Sequence, residues 1–217
     1  MKGIDNATVV VGVERDVVAR DILLFATLLL VLLIATFILP LVADVTGSVI
    51  VNNQFLIGPA VNAALIVGAI KLRKFWSVLP IVFVPSVAAF SLNLLFAIGN
   101  QFMLLMIPAI WFGNMALVLA FWLIYKGTER NRDLNGFKRT GIFILTSIIG
   151  VSLKVGIIFG SYLALVALEL IPYGSPVALA MWSVMGVNQL ITATLGSIIA
   201  FGIIFALMTN NSRKLYK

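Results

Sequence analysis

The stretch TGIFILTSIIGVSLKVGIIFGSYLALVALELI, Thr140 to Ile171, decides the architecture, and its only charged residues are Lys154 and Glu169. As a helix rising 1.5 Å per residue it is ~48 Å long, more than the ~30 Å hydrocarbon core of a bilayer. The rest of the chain has the same character. Its 217 residues are 62% hydrophobic and 11% charged, with a mean hydropathy of +1.14. Soluble domains run nearer ~45–50% apolar and ~25% charged. A chain this apolar cannot cover itself with polar surface in water. That excludes a soluble enzyme, a disordered regulator and a secreted disulfide scaffold, and predicts an all-α integral membrane bundle.

Working outward from that stretch, six spans are expected: Ile22 to Val42, Phe55 to Ile70, Phe75 to Ile98, Phe102 to Tyr125, Thr140 to Ile171 and Ser175 to Met208. They form a single membrane domain over residues 1–217, with a cytoplasmic leader at 1–20 and a cytoplasmic tail at 209–217. The first span is too long for the apolar region of a cleaved signal peptide. The basic residues set the orientation. Lys2, Arg15 and Arg20 precede span one. Lys71, Arg73 and Lys74 separate spans two and three. Lys126, Arg130, Arg132, Lys138 and Arg139 separate four and five, and Arg213, Lys214 and Lys217 follow six. The other three connections contain no Lys or Arg. The positive-inside rule therefore puts both termini in the cytoplasm and the longest external connection at Ala43 to Gln54. Together with clean alternation, this points to a prokaryotic inner membrane. The net charge of +7 reports these loops and not nucleic acid.

Several chemistries are missing. There is no Cys and no His, so thiolate chemistry, zinc-thiolate or Fe–S centres and histidine acid–base catalysis are absent. No phosphate-binding GxxxxGK[ST] loop and no chain of buried carboxylates occur. The chain is expected to be no enzyme and to carry no metal or cofactor.

Polar residues within spans carry the functional information, because an unpaired polar group in hydrocarbon is costly. They are Asn62 in span two, Asn114 in span four, Lys154 in span five, and Asn188 and Gln189 in span six, with Asn93 nearer the end of span three. Counting along each helix, Asn62 lies ~10 Å, and Asn114 and Gln189 ~18 Å, below the outer ends, with Lys154 ~21 Å above the inner end. These depths overlap, so four helices put polar side chains into one slab. Lys154, too deep to reach either surface easily, can bind an anionic or carbonyl-bearing ligand, or can hold the bundle together through Asn side chains and freed carbonyls. The amides alone can act as interhelical glue. Trp111 and Trp182 lie within spans and could stack on a ring, whereas Trp76 and Trp122 suit the interfacial belt. Glu169 reads as an interfacial acid or as a gate contact. Small residues four apart run through span two (Ala60, Ala64, Gly68), span five (Ser152, Gly156, Gly160, Ala164) and span six (Thr192, Gly196, Ala200). They are expected to pack the bundle, with span two the best candidate for docking a partner.

Length, layout and four local patterns resemble the S components of energy-coupling factor (ECF) transporters, the substrate-capturing membrane subunits. The patterns are Gly58-Pro59-Ala60-Val61-Asn62-Ala63, Pro108-Ala109-Ile110-Trp111-Phe112-Gly113-Asn114, Leu153-Lys154, and Asn188-Gln189-Leu190-Ile191-Thr192-Ala193. The resemblance implies capture of a vitamin-like small molecule from outside, in a pocket holding Asn114, Lys154, Asn188 and Gln189 beneath a lid at Ala43 to Gln54. It also implies a transmembrane T protein and two cytoplasmic ATPases as partners. Many such subunits dock through an AxxxA motif in the first span. Ile22 to Val42 has none, and the small stripe lies in span two instead. The expected function is capture of a small polar or anionic organic solute for uptake, with lipid as the surrounding partner. The alternatives are a self-sufficient carrier or channel and a scaffold without a ligand.

Overall fold

The computed structural model describes residues 54–91, 100–131 and 134–214, together with 21–28 and the single positions Ala19, Leu30 and Ile34. Most of the expected first span, Asn93, and the expected lid as far as Asn53 lie outside the described residues. Among the described residues all regular structure is helical. Helix α1 is Gln54–Lys71. A 3-10 turn at Phe75–Val78 leads into α2, Leu79–Ser91. Helix α3, Asn100–Ala120, continues through a π turn at Phe121–Lys126 into α4, Gly127–Asn131. Helix α5 is Gly136–Ala167. Helix α6, Pro176–Trp182, continues through a π turn at Ser183–Val187 into α7, Asn188–Lys214. Three continuous helical stretches, Phe102–Glu129, Gly136–Ala167 and Pro176–Leu207, are long and apolar enough to cross a membrane, and Ile57–Lys71 and Phe75–Val87 are shorter apolar helices.

The helix ends are set by capping, which an apolar run does not reveal. Helix α5 begins at Gly136, before the expected Thr140, because Asn135 accepts a hydrogen bond from the Lys138 N–H at 2.9 Å. It ends at Ala167, short of Ile171, in a Schellman motif. The Glu169 N–H donates to the Val166 carbonyl, and the Leu170 N–H donates to the Leu165 carbonyl, both at 3.0 Å. Glu169 therefore sits at the position that usually holds glycine, with φ 59°. The left-handed conformation is unfavourable for an L side chain, and a carboxylate at a helix C-terminus opposes the helix dipole. Glu169→Gly is accordingly expected to stabilise the protein by about 1 kcal/mol. Melting curves in detergent would show it, and an unchanged or lowered midpoint would mean that no strain resides there. After Gly174 (φ 74°), Ser175 caps α6 by accepting from the Ala178 N–H at 3.1 Å, with Pro176 at the first helical position.

Contacts between chain-distant residues define the two ends of the bundle. At one end, the Lys126 ammonium donates to the Leu72 carbonyl. Phe75 meets Trp122 edge-on at 5.5 Å, and Phe143 lies 5.2 Å from both Phe121 and Phe201. Asp21 accepts from the Arg73 N–H at 3.4 Å. The start of the 21–28 helix, the α1–α2 elbow, the α3–α5 connection and the C-terminal part of α7 thus share this basic end. At the opposite end Met103, Met106, Tyr162, Ile171, Ala178 and Met181 pack together with Phe90, and the Tyr162 hydroxyl donates to the Ala178 carbonyl at 2.7 Å. Successive long helices therefore alternate in direction.

Two close helix pairs make the core. Helices α1 and α7 cross where a methyl group on Gly58 would lie 2.8 Å from Thr192. One on Gly196 would lie 2.4 Å from Asn62 Cβ and 2.8 Å from the Pro59 carbonyl. Helices α3 and α5 cross where a methyl group on Gly113 would lie 2.7 Å from the Ile158 side chain and 3.1 Å from the Lys154 carbonyl. On the same seam, one on Gly150 would lie 2.9 Å from Leu117. This is small-residue packing of the kind that lets membrane helices associate without a hydrophobic driving force.

The small stripes fare differently from one another. Thr192, Gly196 and Ala200 are buried against α1. In span two, Ala64 is buried and Gly68 faces Ile81, Val78 and Leu28, while Ala60 is half-buried. Ala64 and Gly68 are thus internal packing positions, and the face expected to dock a partner is occupied within the chain. The span-five stripe is the reverse. Ser152, Gly156, Gly160 and Ala164 face outward, and a methyl group on Gly156 or Gly160 would touch nothing within 4 Å among the described residues. The inward face of α5 carries Thr146, Gly150, Lys154, Ile158 and Tyr162. Ser152 and Gly156 lie two positions from Lys154, hence roughly 200° round the helix from it at 100° per residue.

Candidate functional site

Lys154 sits where the two close pairs meet. It is 3% exposed, and its ammonium donates to Asn62 Oδ1 at 2.5 Å, joining α5 to α1 across 92 residues of sequence. Asn62 is 2% exposed, and its Nδ2 donates to the Gly58 carbonyl one turn earlier at 2.8 Å. That second bond fixes the amide with its oxygen toward the lysine. Pro59 and Gly196 hold the backbone around Asn62 against α7.

Asn114 lies one residue beyond Gly113, the point where α3 reaches the Lys154 carbonyl. It is 2% exposed, and its Nδ2 donates to the Val82 carbonyl of α2 at 3.3 Å. Its Oδ1 is buried without a hydrogen-bond partner among the described residues. Such an acceptor forfeits its hydration and gains nothing in return, an expense of about 1–3 kcal/mol. Asn188 is buried at the start of α7, one turn before Thr192, and Gln189 is half-buried beside it.

The two tryptophans do not face this centre in the way expected. Trp111 is tethered to α2: its Nε1 donates to Ser86 Oγ at 2.7 Å and to the Phe83 carbonyl at 3.3 Å, with its ring edge-on to Phe83. Trp182 is 49% exposed and meets Phe159 edge-on at 5.9 Å. The structure therefore brings Lys154 and Asn62 into contact, turns the Asn114 amide to Val82 of α2, and commits Trp111 to α2. Ser86 lies outside every motif quoted above, and Gly58 and Gly113, which belong to two of them, act here as close-approach points of the helices. Ser86 is a buried hydroxyl one residue after a helical proline, a position where polar groups find partners in neighbouring helices.

Electrostatically the site is one-sided. The described carboxylates are Asp21, Glu129 and Glu169, and the ion pair among the described residues joins Glu129 to Arg139 at 3.8 Å. Among the described residues Lys154 faces a neutral amide and no carboxylate. No group of His, Cys, Asp or Glu suited to a metal occurs among them either. What this part of the bundle offers a ligand is the Lys154 amino group, with hydrogen-bonding capacity beyond its bond to Asn62, and, on the neighbouring helix α3, the unsatisfied amide oxygen of Asn114.

No protein-family model matches the chain, and neither the curated proteins nor the solved structures contain a significant match to it.

Proposed function

We propose that this chain is a six-span membrane protein, with both termini cytoplasmic, that captures a small anionic organic solute at Lys154 for uptake. The observation that carries this reading is the buried lysine that, among the described residues, is paired only with an amide. An ionisable group at membrane depth is costly and is normally paired, or else marks a substrate path. Here the counter-charge is supplied by the ligand. A carboxylate or phosphate oxygen takes the place of Asn62 Oδ1 on the Lys154 ammonium, and an N–H or O–H of the same molecule satisfies Asn114 Oδ1. In this reading Asn188 and Gln189 of α7 contribute further hydrogen-bonding groups to the solute. The alternating helices and the gathering of Lys71, Arg73, Lys74, Lys126 and Arg139 at one end support the six-span, positive-inside topology. The resemblance to ECF S components extends the reading to delivery through a T protein and two ATPases.

The test is thermal melting of the purified protein against a panel of carboxylate- and phosphate-bearing vitamins and metabolites. A ligand at 100 times its Kd stabilises by about 2.7 kcal/mol, which moves the midpoint by several degrees. The expected result is such a shift in the wild type and its loss in Lys154→Met. A shift of equal size in both proteins, or none with any anionic solute, would overturn the assignment of Lys154. Copurification of a second multi-span protein with a pair of ATPases is the corresponding test of the delivery partners. The Lys154–Asn62 bond itself favours a second reading, a scaffold in which it is only a clamp. In that case Lys154→Met keeps or gains stability and no solute shifts either protein.

A further inference from the structure

A cleft of about 620 Å³ opens at the basic end, between the start of the 21–28 helix and the α1–α2 elbow, lined by Asp21, Ile22, Phe25, Leu72, Arg73, Lys74 and Ser77. Its volume falls in the ~300–1,000 Å³ range of ligand sites. One wall is apolar: Leu72 is buried, Phe25 half-buried and Ile22 exposed. The rim carries the exposed Arg73 and Lys74, with Ser77 as a hydroxyl partner. The carboxylate in the cleft, Asp21, is engaged by the Arg73 backbone N–H, so it anchors the elbow and leaves both cationic side chains to face outward.

The surroundings give the depth of this cleft. Exposed Trp76 meets Phe75 edge-on at 5.9 Å, Phe75 meets Trp122, and the Lys126 ammonium lies 3.5 Å over the Trp122 ring. Tryptophans with lysines at the end of apolar helices mark the headgroup level of a bilayer. A cleft at that level with a cationic rim and an apolar wall is complementary to a molecule that is anionic at one end and hydrocarbon at the other. Basic pockets between membrane helices bind lipid headgroups on this principle.

We infer that this cleft binds an anionic glycerophospholipid, its phosphate held by Arg73 and Lys74 and its acyl chains laid against Ile22, Phe25 and Leu72. The inference needs a membrane around these helices but not a solute at Lys154, so the two can fail separately. The lipid would splint the 21–28 helix to the elbow, adding to the Asp21–Arg73 bond and to the packing of Phe25 and Leu28 against the core.

The experiment is native mass spectrometry of the purified full chain, with melting curves in parallel, after addition of phosphatidylglycerol, phosphatidylcholine, or inorganic phosphate with glycerol 3-phosphate. Phosphatidylglycerol is expected to be retained and to raise the melting midpoint, and the other two additions are not. Each basic residue near an anionic surface is worth a factor of about five, so Arg73→Gln with Lys74→Gln should weaken retention about 30-fold. Ser77→Phe fills the cleft while keeping both cations and should also abolish retention. Lys138→Gln, an exposed cation at the same end, should leave it unchanged. Retention by the Arg73/Lys74 double variant or by Ser77→Phe would overturn the site. Equal binding of phosphatidylcholine would overturn the charge recognition. Stabilisation by phosphate or glycerol 3-phosphate alone would overturn the lipid in favour of a soluble anion.

Discussion

Asn62→Leu is expected to destabilise the bundle by about 3 kcal/mol, because it leaves the Lys154 ammonium buried with no acceptor. Leucine keeps the branched four-atom outline of asparagine and suits a membrane helix, and any overpacking it brings is shared with the double variant, so the cycle isolates the lost acceptor. Lys154→Met should cost far less. It removes the charge, keeps most of the apolar stem, and leaves a neutral Asn62 oxygen. The double variant should melt close to Lys154→Met and well above Asn62→Leu, since with the charge gone the amide has nothing left to compensate. Unfolding of the four proteins in one detergent closes the cycle. If the two single effects simply add, the bond between α5 and α1 contributes nothing, and the polar centre is not a unit. The same cycle run with solute separates clamp from capture. The coupling in the free protein measures the Lys154–Asn62 bond under either reading, and only capture adds a ligand-induced shift that Lys154→Met abolishes.

Gly196→Val should be as damaging, for steric and not electrostatic reasons. Even the first methyl group would lie 2.4 Å from Asn62 Cβ and 2.8 Å from the Pro59 carbonyl. The obstacle is backbone, which cannot swing aside as a side-chain end can, so α1 must move away from α7. Overpacking of this sort costs about 1–3 kcal/mol, and valine belongs at the upper limit because its β-branch widens the clash. The displacement also pulls Asn62 from Lys154, so the loss should couple to the cycle above. Gly156→Ala is the matched comparison. It faces open space on α5, and alanine is the better helix former by roughly 0.8–1.0 kcal/mol, so that variant should be neutral or more stable. Melting temperatures that fall alike for Gly196→Ala and Gly156→Ala would show that α1 and α7 do not approach this closely.

Much of the fold was legible because membrane helices announce themselves by length and hydropathy. The runs at Phe55 to Ile70 and Phe102 to Tyr125 correspond closely to α1 and to the helix that spans α3 and its π turn. The limits of α5 were misjudged by four residues at each end, because Asn135 and the left-handed Glu169 close the helix irrespective of where apolar residues begin and end. The π turns at Phe121–Lys126 and Ser183–Val187 carry no compositional mark. Burial of Asn62, Asn114, Lys154 and Asn188 follows from the cost of polar groups in lipid. Their pairing did not follow. Lys154 meets Asn62 and not Asn114 because Gly196 and Gly58 let α7 press α1 inward, while Asn114 turns its amide nitrogen to Val82.

The sequence by itself determined that this protein is a bundle of apolar helices with one lysine in the hydrophobic middle. Composition and periodicity act on each segment alone, and they suffice to say which segments leave water. Which face of each helix turns inward was decided only by tertiary structure. Ser152, Gly156, Gly160 and Ala164 are as small as Thr192, Gly196 and Ala200, yet the first set faces out and the second lies against α1. A stripe of small residues permits close approach without selecting a partner. The selection came from groups that could not be left exposed to lipid, Lys154 foremost, whose bond to Asn62 turns one face of α5 inward with Gly150 and leaves Gly156 and Gly160 outside.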